Sequence, residues 1–325
     1  MPEELLTWSL GGAEPIEIDT TFMLTGTAPS VEYSSFSGKS YLTYVSLSKC
    51  TEIESSAFRS CYRISTALFP KCMKVGEMAF TQCSSLKTIS FPACTSISMY
   101  AFNGCSSLEN ISFPACTYVG SGAFQSCISL ASIYFPLCET VRHDAFINCR
   151  ALTTVHLPAC ENVAGRAFSF CTNLSEVSLP VCSGLGGHTF ENCSNLASVY
   201  LPKCKHVFDY DFANCVSLKE ISMPVCESIE SHAFENCTLL SVAEIQKCSS
   251  IGYSVFYKCT NLISLYLQSV SQVTTLQYDT FNSTPIGGYS GSAGRYGSVF
   301  VPASLYSNFC SANNWSNISS RIVPV

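Results

Sequence analysis

Along most of this chain the apolar positions recur on a fixed ruler. Phenylalanine stands at 58, 80, 102, 124, 146, 168, 190, 212, 234 and 256, always 22 residues apart. Prolines 70, 92, 114, 136, 158, 180, 202 and 224 keep that spacing. So does an aliphatic series: Ile53, Val75, Ile97, Val119, Val141, Val163, Leu185, Val207, Ile229 and Ile251. One unit reads L-x-x-I-x-F-P-x-C-x-x-I-x-x-x-A-F-x-x-C-x-x, as it does from Leu86 or from Leu108, and about ten units run from Leu42 to Asn261. A period of this length marks an array of stacked repeats.

Within a unit, L-x-x-I-x-F ends in alternation of apolar and polar residues, the period of a half-buried strand. Proline closes it, because it lacks the N–H that a ladder needs. Ser60, Gly104, Asn148, Asn192, Asn214 and Asn236 stand just before the second cysteine and are residue types that turn the chain. The rest of the unit is too short for a helix, so extended or 3₁₀ turns are expected there, with Phe inward and Ala allowing close stacking. Eight positions per unit are expected in the core: Leu, Ile, Phe, Cys, Ile or Val, Ala, Phe and Cys. One unit cannot bury such a face alone, but neighbours stacked ~4.7–4.9 Å apart share a continuous core. The expected architecture is a solenoid of ten to eleven coils, with parallel strands stacked on one face and short turns on the convex side.

At this point the residues carry a resemblance. L-x-x-I-x-F-P-x-C resembles the leucine-rich-repeat strand motif, whose ladder position takes Asn or Cys. Its continuation I-x-x-x-A-F-x-x-C resembles the BspA-like class of leucine-rich repeats, over roughly residues 30–282. The resemblance implies a leucine-rich-repeat solenoid and a surface or secreted adhesion protein of bacterial type. The opening Met1-Pro2-Glu3-Glu4-Leu5-Leu6 has no basic and apolar leader pattern. That segment alone gives no expectation of secretion.

One domain is expected over residues 1–325. Residues 1–41 would form an N-terminal cap and worn repeat, in which Val31 and Phe36 sit 22 before Ile53 and Phe58. Ile16, Ile18, Phe22 and Leu24 suggest a capping strand pair. Residues 42–282 would be the array, which breaks down where Val270 replaces a cysteine and Phe281 arrives three residues late. Residues 283–325 would be a C-terminal loop and cap, with a flexible run from Gly287 to Gly294. Phe300-Val301-Pro302 echoes a strand end, and Leu305, Phe309, Trp315 and Ile318 suggest a short amphipathic helix.

Composition changes the picture in two ways. Charged residues are only 12% and the net charge is −6; the basic footprint of a nucleic-acid binder is absent. No apolar run is long enough for a membrane span, so no membrane insertion is expected. Of 21 cysteines, twenty lie every eleven residues from Cys50 to Cys259. Stacked cysteines would lie at disulfide-compatible Cα spacing, but with parallel rather than converging Cβ vectors. Reduced thiols filling the core are expected instead. Cys310 lies off the ruler and is the candidate for an exposed thiol, or for packing on a helix face.

No cofactor, metal or catalytic constellation is expected. Zinc sites need clustered ligands, and the ruler cysteines are eleven apart. His143, His188, His206 and His232 fall on the convex half, with His188 and His232 at one repeat position two coils apart. Ser46-x-x-Lys49 and Ser84-x-x-Lys87 match a nucleophile motif by letter, without its partners. The glycines at 287–297 do not open a helix after a strand, as a phosphate loop would.

The informative surface is the strand face. The residue between Ile and Phe points outward on the concave side: Ser46, Leu68, Ser90, Ser112, Tyr134, His156, Ser178, Tyr200, Ser222, Glu244 and Tyr266 in order. Against a serine background, Tyr134, His156, Tyr200 and Tyr266 are the candidate ligand contacts, for a protein or carbohydrate partner. Aromatic rings with polar tips suit binding. They equally suit cross-strand packing that binds nothing. Two functional readings stay open, a non-catalytic recognition or adhesion module and an intracellular or phage-associated scaffold.

Overall fold

The structure is a computed structural model that describes residues 17–18, 22–288 and 296–325. The expectations for Ile16, and for the glycine-rich run beyond Gly288, lie outside the described residues. The chain divides into two compact units, Met1–Ala159 and Cys160–Val325. Each is a stack of coils with three sides.

The coil beginning at Leu108 shows how the sequence builds them. Asn110–Ser112 is a three-residue strand with Ile111 inward and its two neighbours outward. Tyr118–Val119 is a two-residue strand with only Val119 buried. A run of tight turns through Phe124 closes the coil. All eight expected core positions, Leu108, Ile111, Phe113, Cys116, Val119, Ala123, Phe124 and Cys127, are buried.

In the first unit, Glu17–Ile18 pairs antiparallel with Met23–Gly26, with Ile18 opposite Leu24. The expected capping pair is thus present. From there the stacking is parallel: Met23–Gly26, Tyr44–Leu47, Thr66–Leu68 and Thr88–Ser90 form one ladder. Asn110–Ser112 pairs with Ser132–Tyr134 in a second short ladder. The two-residue strands form their own sheet, from Ser30–Val31 through Glu52–Ile53, Lys74–Val75, Ser96–Ile97 and Tyr118–Val119 to Thr140–Val141. The extended stretches expected on the convex side therefore pair as a second parallel sheet.

The second unit repeats the plan. Glu176–Ser178 pairs with Ser198–Tyr200. Glu220–Ser222, Val242–Glu244, Ser264–Tyr266, Ser298–Val301 and Ile322–Pro324 follow as a five-stranded parallel ladder. The strand end read at Phe300-Val301-Pro302 is the fourth of these, and the last strand of the chain adds a fifth.

The third side is made of turns, and its hydrogen bonding is one-way. The amides of Tyr100, Phe102 and Gly104 donate to the carbonyls of Ser121, Ala123 and Gln125 in the next coil, at 2.8–2.9 Å. The alternate amides turn back, as Asn103 does onto Tyr100 and Cys105 onto Phe102. This alternation requires left-handed backbone two residues before and two residues after the core Phe. Tyr100 has φ 55° and Gly104 has φ 72°. Other coils place Asn148, Asn192, Asn214 or Asn236 at the second position, as the turn chemistry predicted. The first position carries turn residues in some coils, such as Ser56, Gly122 and Asp144, but Met78, Tyr100, His188 or Tyr210 in others, which no turn preference announces.

Inside, the ruler phenylalanines stack. Phe102 lies 5.2 Å from Phe80 and 5.2 Å from Phe124, with planes within 3°. In the first unit a second column, Phe69, Phe91, Phe113 and Phe135, meets the first edge-on, as Phe80 meets Phe91 at 75°. The second unit has Leu179, Leu201, Met223, Ile245 and Leu267 there, so its second column is aliphatic and equally buried.

Each unit's ruler cysteines are free and buried, and their thiols find acceptors. The first cysteine of a coil bonds the carbonyl two residues on, as Cys94 does Ser96 at 3.3 Å. The second reaches back a coil to the Phe carbonyl, as Cys105 Sγ does to Phe80 at 3.2 Å. Cysteine is thus more than a small apolar filler. It fits a site that alanine would fill less well and serine would crowd with a stronger polar demand.

The ends depart from expectation in two places. Phe22 is 43% exposed with φ 61°, so it does not enter the core beside Leu24. The single C-terminal helix is instead three short pieces, Ala303–Leu305, Tyr306–Ser311 and Ser316–Arg321. Only Phe309 and Trp315 of its four apolar residues are fully buried. Trp315 Nε1 donates to the Thr274 carbonyl at 2.7 Å, which ties the cap to the coil where the ruler slips. Cys310 is half-buried on the middle piece.

Candidate functional site

The strand face is set by pleat alternation. In every three-residue strand the central residue enters the core and both neighbours face outward, so each unit presents two outward columns rather than one. The column after the buried residue is the one that carries the candidates. The column before it, Thr88, Asn110, Ser132 and Thr154 in the first unit and Glu176, Ser198 and Glu220 in the second, was not singled out by the sequence reading. The strict alternation around each central residue was the signal that could have found it.

In the first unit, Tyr134 is 56% exposed and stands beside Ser112 in register. His156 is exposed at the end of Thr154–His156. In the second, Tyr200 is 57% exposed and stands beside Ser178. Tyr266 differs. Its ring lies flat on Phe300 with centroids 4.6 Å apart, so one face is already covered and the residue is half-buried. Tyr266 therefore takes the cross-strand packing role that the sequence left open.

Tyr134 and Tyr200 share a local feature. Their strands end hydrogen-bonded ladders: the pair Asn110–Ser112 with Ser132–Tyr134 stops at Tyr134, and Ser198–Tyr200 is last in its sheet. The inward residues there, Ile133 and Val199, are only half-buried, whereas Ile111, Val177 and Ile221 on neighbouring strands are buried. Ile89, on the strand that ends the first ladder beside Ser90, is half-buried too, so the looseness belongs to ladder ends, two of which carry the exposed tyrosines.

Among the described residues, no group of three or more His, Cys, Asp or Glu side chains could hold a metal ion. The histidines on the turn side are not isolated, however. Tyr210 lies sandwiched between His188 and His232, with ring centroids 4.9 and 4.7 Å away. Each histidine Nδ1 also meets a glutamate, His188 to Glu191 at 3.0 Å and His232 to Glu235 at 2.7 Å. The shared repeat position of the two histidines was the readable part of this arrangement.

One buried carboxyl invites a functional reading and has a structural one. Asp211 occupies the Ala position of its coil and is fully buried. In regular coils the amide four residues before the core Phe donates to the previous coil, as Gly76 does to Ile53 and Glu230 to Val207. Around Gly184–Gly187 the two-residue strand is reduced to a bridge. There the Phe208 amide donates to Asp211 Oδ2 at 2.7 Å, and the Thr189 amide to Oδ1 at 3.0 Å. The Gly186 amide donates to Thr189 Oγ1. Asp211 and Thr189 thus repair a fault in the second sheet. Burial pushes the Asp211 carboxyl up to about 7, against the pull of these donors. The thiols move the same way: burial raises Cys50 to about 11 and Cys61 and Cys72 to about 12. They are protonated and unreactive near neutrality, so their number argues for no particular compartment.

Comparison with known proteins adds the following. The sequence profile of the BspA type leucine-rich repeat region matches residues 20–115, 95–215 and 183–290, in six copies. No curated protein matches the chain. Among solved structures it is similar to the pneumococcal vaccine antigen PcpA, at 16% identity and a TM-score of 0.51, over 94% of this chain and 79% of that one. A leucine-rich cell surface protein from Faecalibacterium prausnitzii is 20% identical over 81% of this chain and 95% of its own, at 0.40. The Treponema pallidum leucine-rich repeat protein is 24% identical over 60% of this chain and 82% of its own, also at 0.40. At these identities the likeness to PcpA is one of fold. No helix among the described residues is long and apolar enough to cross a membrane.

Proposed function

Because the chain belongs to the BspA-type leucine-rich-repeat family, we propose that it is a non-catalytic recognition module of adhesion type, binding a protein or glycan through its strand face. The family and fold are those of a protein-interaction repeat module. The observation that supports the finer reading is the exposure of Tyr134 and Tyr200 on strands that end their ladders, in a column where serine is the commonest residue. A tyrosine ring buries much area at little entropic cost and offers a hydroxyl at its tip. His156 supplies a further exposed polar ring in the first unit. The surface setting comes from the family resemblance.

The test uses the full chain on arrayed glycans and extracellular-matrix proteins. The variant Tyr134→Ser, His156→Ser, Tyr200→Ser keeps the fold, since all three side chains point outward, and loses about tenfold or more in affinity for the ligand found. An unchanged affinity in the correctly folded variant retires the strand-face assignment. Protease shaving of intact source cells tests the setting. Release of its peptides without cytosolic markers supports the surface role, and protection favours the internal scaffold.

A further inference from the structure

The turn side of the second unit ends in amides that have no next coil to bond. In the coil before, the amides of Ser254, Phe256 and Lys258 donate to the carbonyls of Tyr278, Thr280 and Asn282, at 3.4, 3.0 and 3.1 Å. One coil on, Asp279 and Ser283 keep the left-handed backbone of the repeat, with φ 57° and 61°. The amides of Asp279, Phe281 and Ser283 make no backbone hydrogen bond among the described residues. By the repeat geometry they are aimed to where another coil would lie.

In place of that coil there is an open groove of about 300 Å³. Its floor is the last turn, from Leu276 to Asn282, and its far wall is Asn314, Asn317 and Ile318 of the cap. Asn314 fixes that wall, because its Nδ2 donates to the Leu276 carbonyl at 2.6 Å. Gly287 completes the lining, and a Cβ there would collide with the Phe281 carbonyl oxygen.

The lining chemistry selects among ligands. An apolar group would leave this wall of amides unpaired, at a cost per group of roughly 1–3 kcal/mol in protein data. An anion would find donors, yet among the described residues no lysine or arginine lines the groove and Asp279 does. A neutral polyhydroxy ring satisfies both demands. Its hydroxyls accept from the Asp279 and Phe281 amides and donate to the Asp279 carboxylate. The side-chain amides of Asn282 and Asn317 each offer a donor and an acceptor to adjacent hydroxyls. Tyr278, 62% exposed, is braced by Tyr253 at 4.6 Å and offers a ring face for the apolar side of a sugar. The volume is at the small end of ligand pockets, ~300–1,000 Å³, the size for a single ring.

We infer that this groove is a carbohydrate site for one neutral sugar residue, with Asp279, Asn282 and Asn317 on its hydroxyls and Tyr278 against its ring. It is separate from the strand face and stands whether or not that face binds anything.

Saturation-transfer NMR on the full chain tests it, with the methyl glycosides of glucose, galactose, mannose and N-acetylglucosamine as probes. At least one probe is expected to receive saturation from the protein. Tyr278→Ala and Asn317→Ala, both at exposed positions and checked for fold by circular dichroism, are each expected to weaken it about tenfold. Tyr134→Ser leaves it unchanged. Transfer to none of the probes overturns the assignment, as does transfer that neither groove variant alters. Loss of transfer in the strand-face variant alone would move the sugar to that face. Displacement by inorganic phosphate at concentrations where excess sugar fails would make the groove an anion site instead.

Discussion

At position 170 the repeat carries phenylalanine where its neighbours carry asparagine. Phe170 is held at φ 61° and is 41% exposed, so it has the backbone strain without the reward of burial. Asn192, Asn214 and Asn236 adopt the same conformation and form a side-chain ladder, Asn214 Nδ2 to Asn192 Oδ1 at 3.0 Å and Asn236 to Asn214 at 2.9 Å. Left-handed backbone costs an ordinary L-residue about 1–2 kcal/mol, and asparagine least. Phe170→Asn should therefore raise stability by about 1 kcal/mol and extend the ladder by one rung. A urea midpoint below that of the parent would contradict this. Asp211 gives the opposite lesson. Asp211→Ala restores the residue most coils use, yet it strips the acceptor from the part-buried amide of Phe208 and the buried amide of Thr189. The variant is expected to lose roughly 1–3 kcal/mol for each amide left unpaired. A melt at pH 7 as stable as the parent would show that the sheet closes its own fault.

At the scale of the element, the strands were legible and the turns only half so. Alternation located every three-residue strand of the array, with a terminal proline after all but Val242–Glu244 and Ser264–Tyr266, because one inward residue between two outward ones leaves a mark in side-chain chemistry. The two-residue strands carry one buried residue each, too few for a period, and sequence could say only that the chain is extended there. The turn side shows where legibility stops. Its second left-handed position is announced by asparagine and glycine. Its first is occupied by Ser56, Met78, Tyr100 or His232, because the amide bond to the next coil, rather than the side chain, fixes that conformation. The candidate face follows the same rule. Tyr134 and Tyr200 were readable from alternation, but the covering of Tyr266 by Phe300 depends on a strand that arrives more than thirty residues later. The groove beside Asp279 was not readable at all, since it joins a worn repeat to a cap that lies off the ruler.

At the scale of the whole chain, the cysteines couple the fold to alkali. A thiol carries charge when deprotonated, and burial raises the native values of Cys50, Cys61 and Cys72 to about 11 to 12, against 9.0 for a free thiol. Cys83, Cys105, Cys193 and Cys215 are raised for the same reason. Below the free value both states are protonated and the contribution is fully present. Above it the unfolded chain binds fewer protons than the native one, so stability falls as pH rises. The loss is about 1.4 kcal/mol per pH unit for each thiol so shifted, until its native value is passed. With many thiols titrating together, the melting temperature in a reducing buffer should hold steady to about pH 9 and then drop steeply within about one further unit. A shallow decline through that range would mean that the thiols ionise in place.

The one-way bonding of the turns gives each coil a head and a tail. On its turn side a coil offers amides forward and takes its neighbour's amides on its carbonyls, so two turn sides brought head to head would oppose donor to donor. Coils can be removed or duplicated as whole units where the junctions are alike, as they are between the coils of Phe80, Phe102 and Phe124. The two terminal pieces are not interchangeable, and a graft of the starting cap onto the finishing end would face amides with nothing to accept them. Lengthening such a protein by recombination is open to evolution at its regular interior coils, whereas reversing or swapping its ends is not.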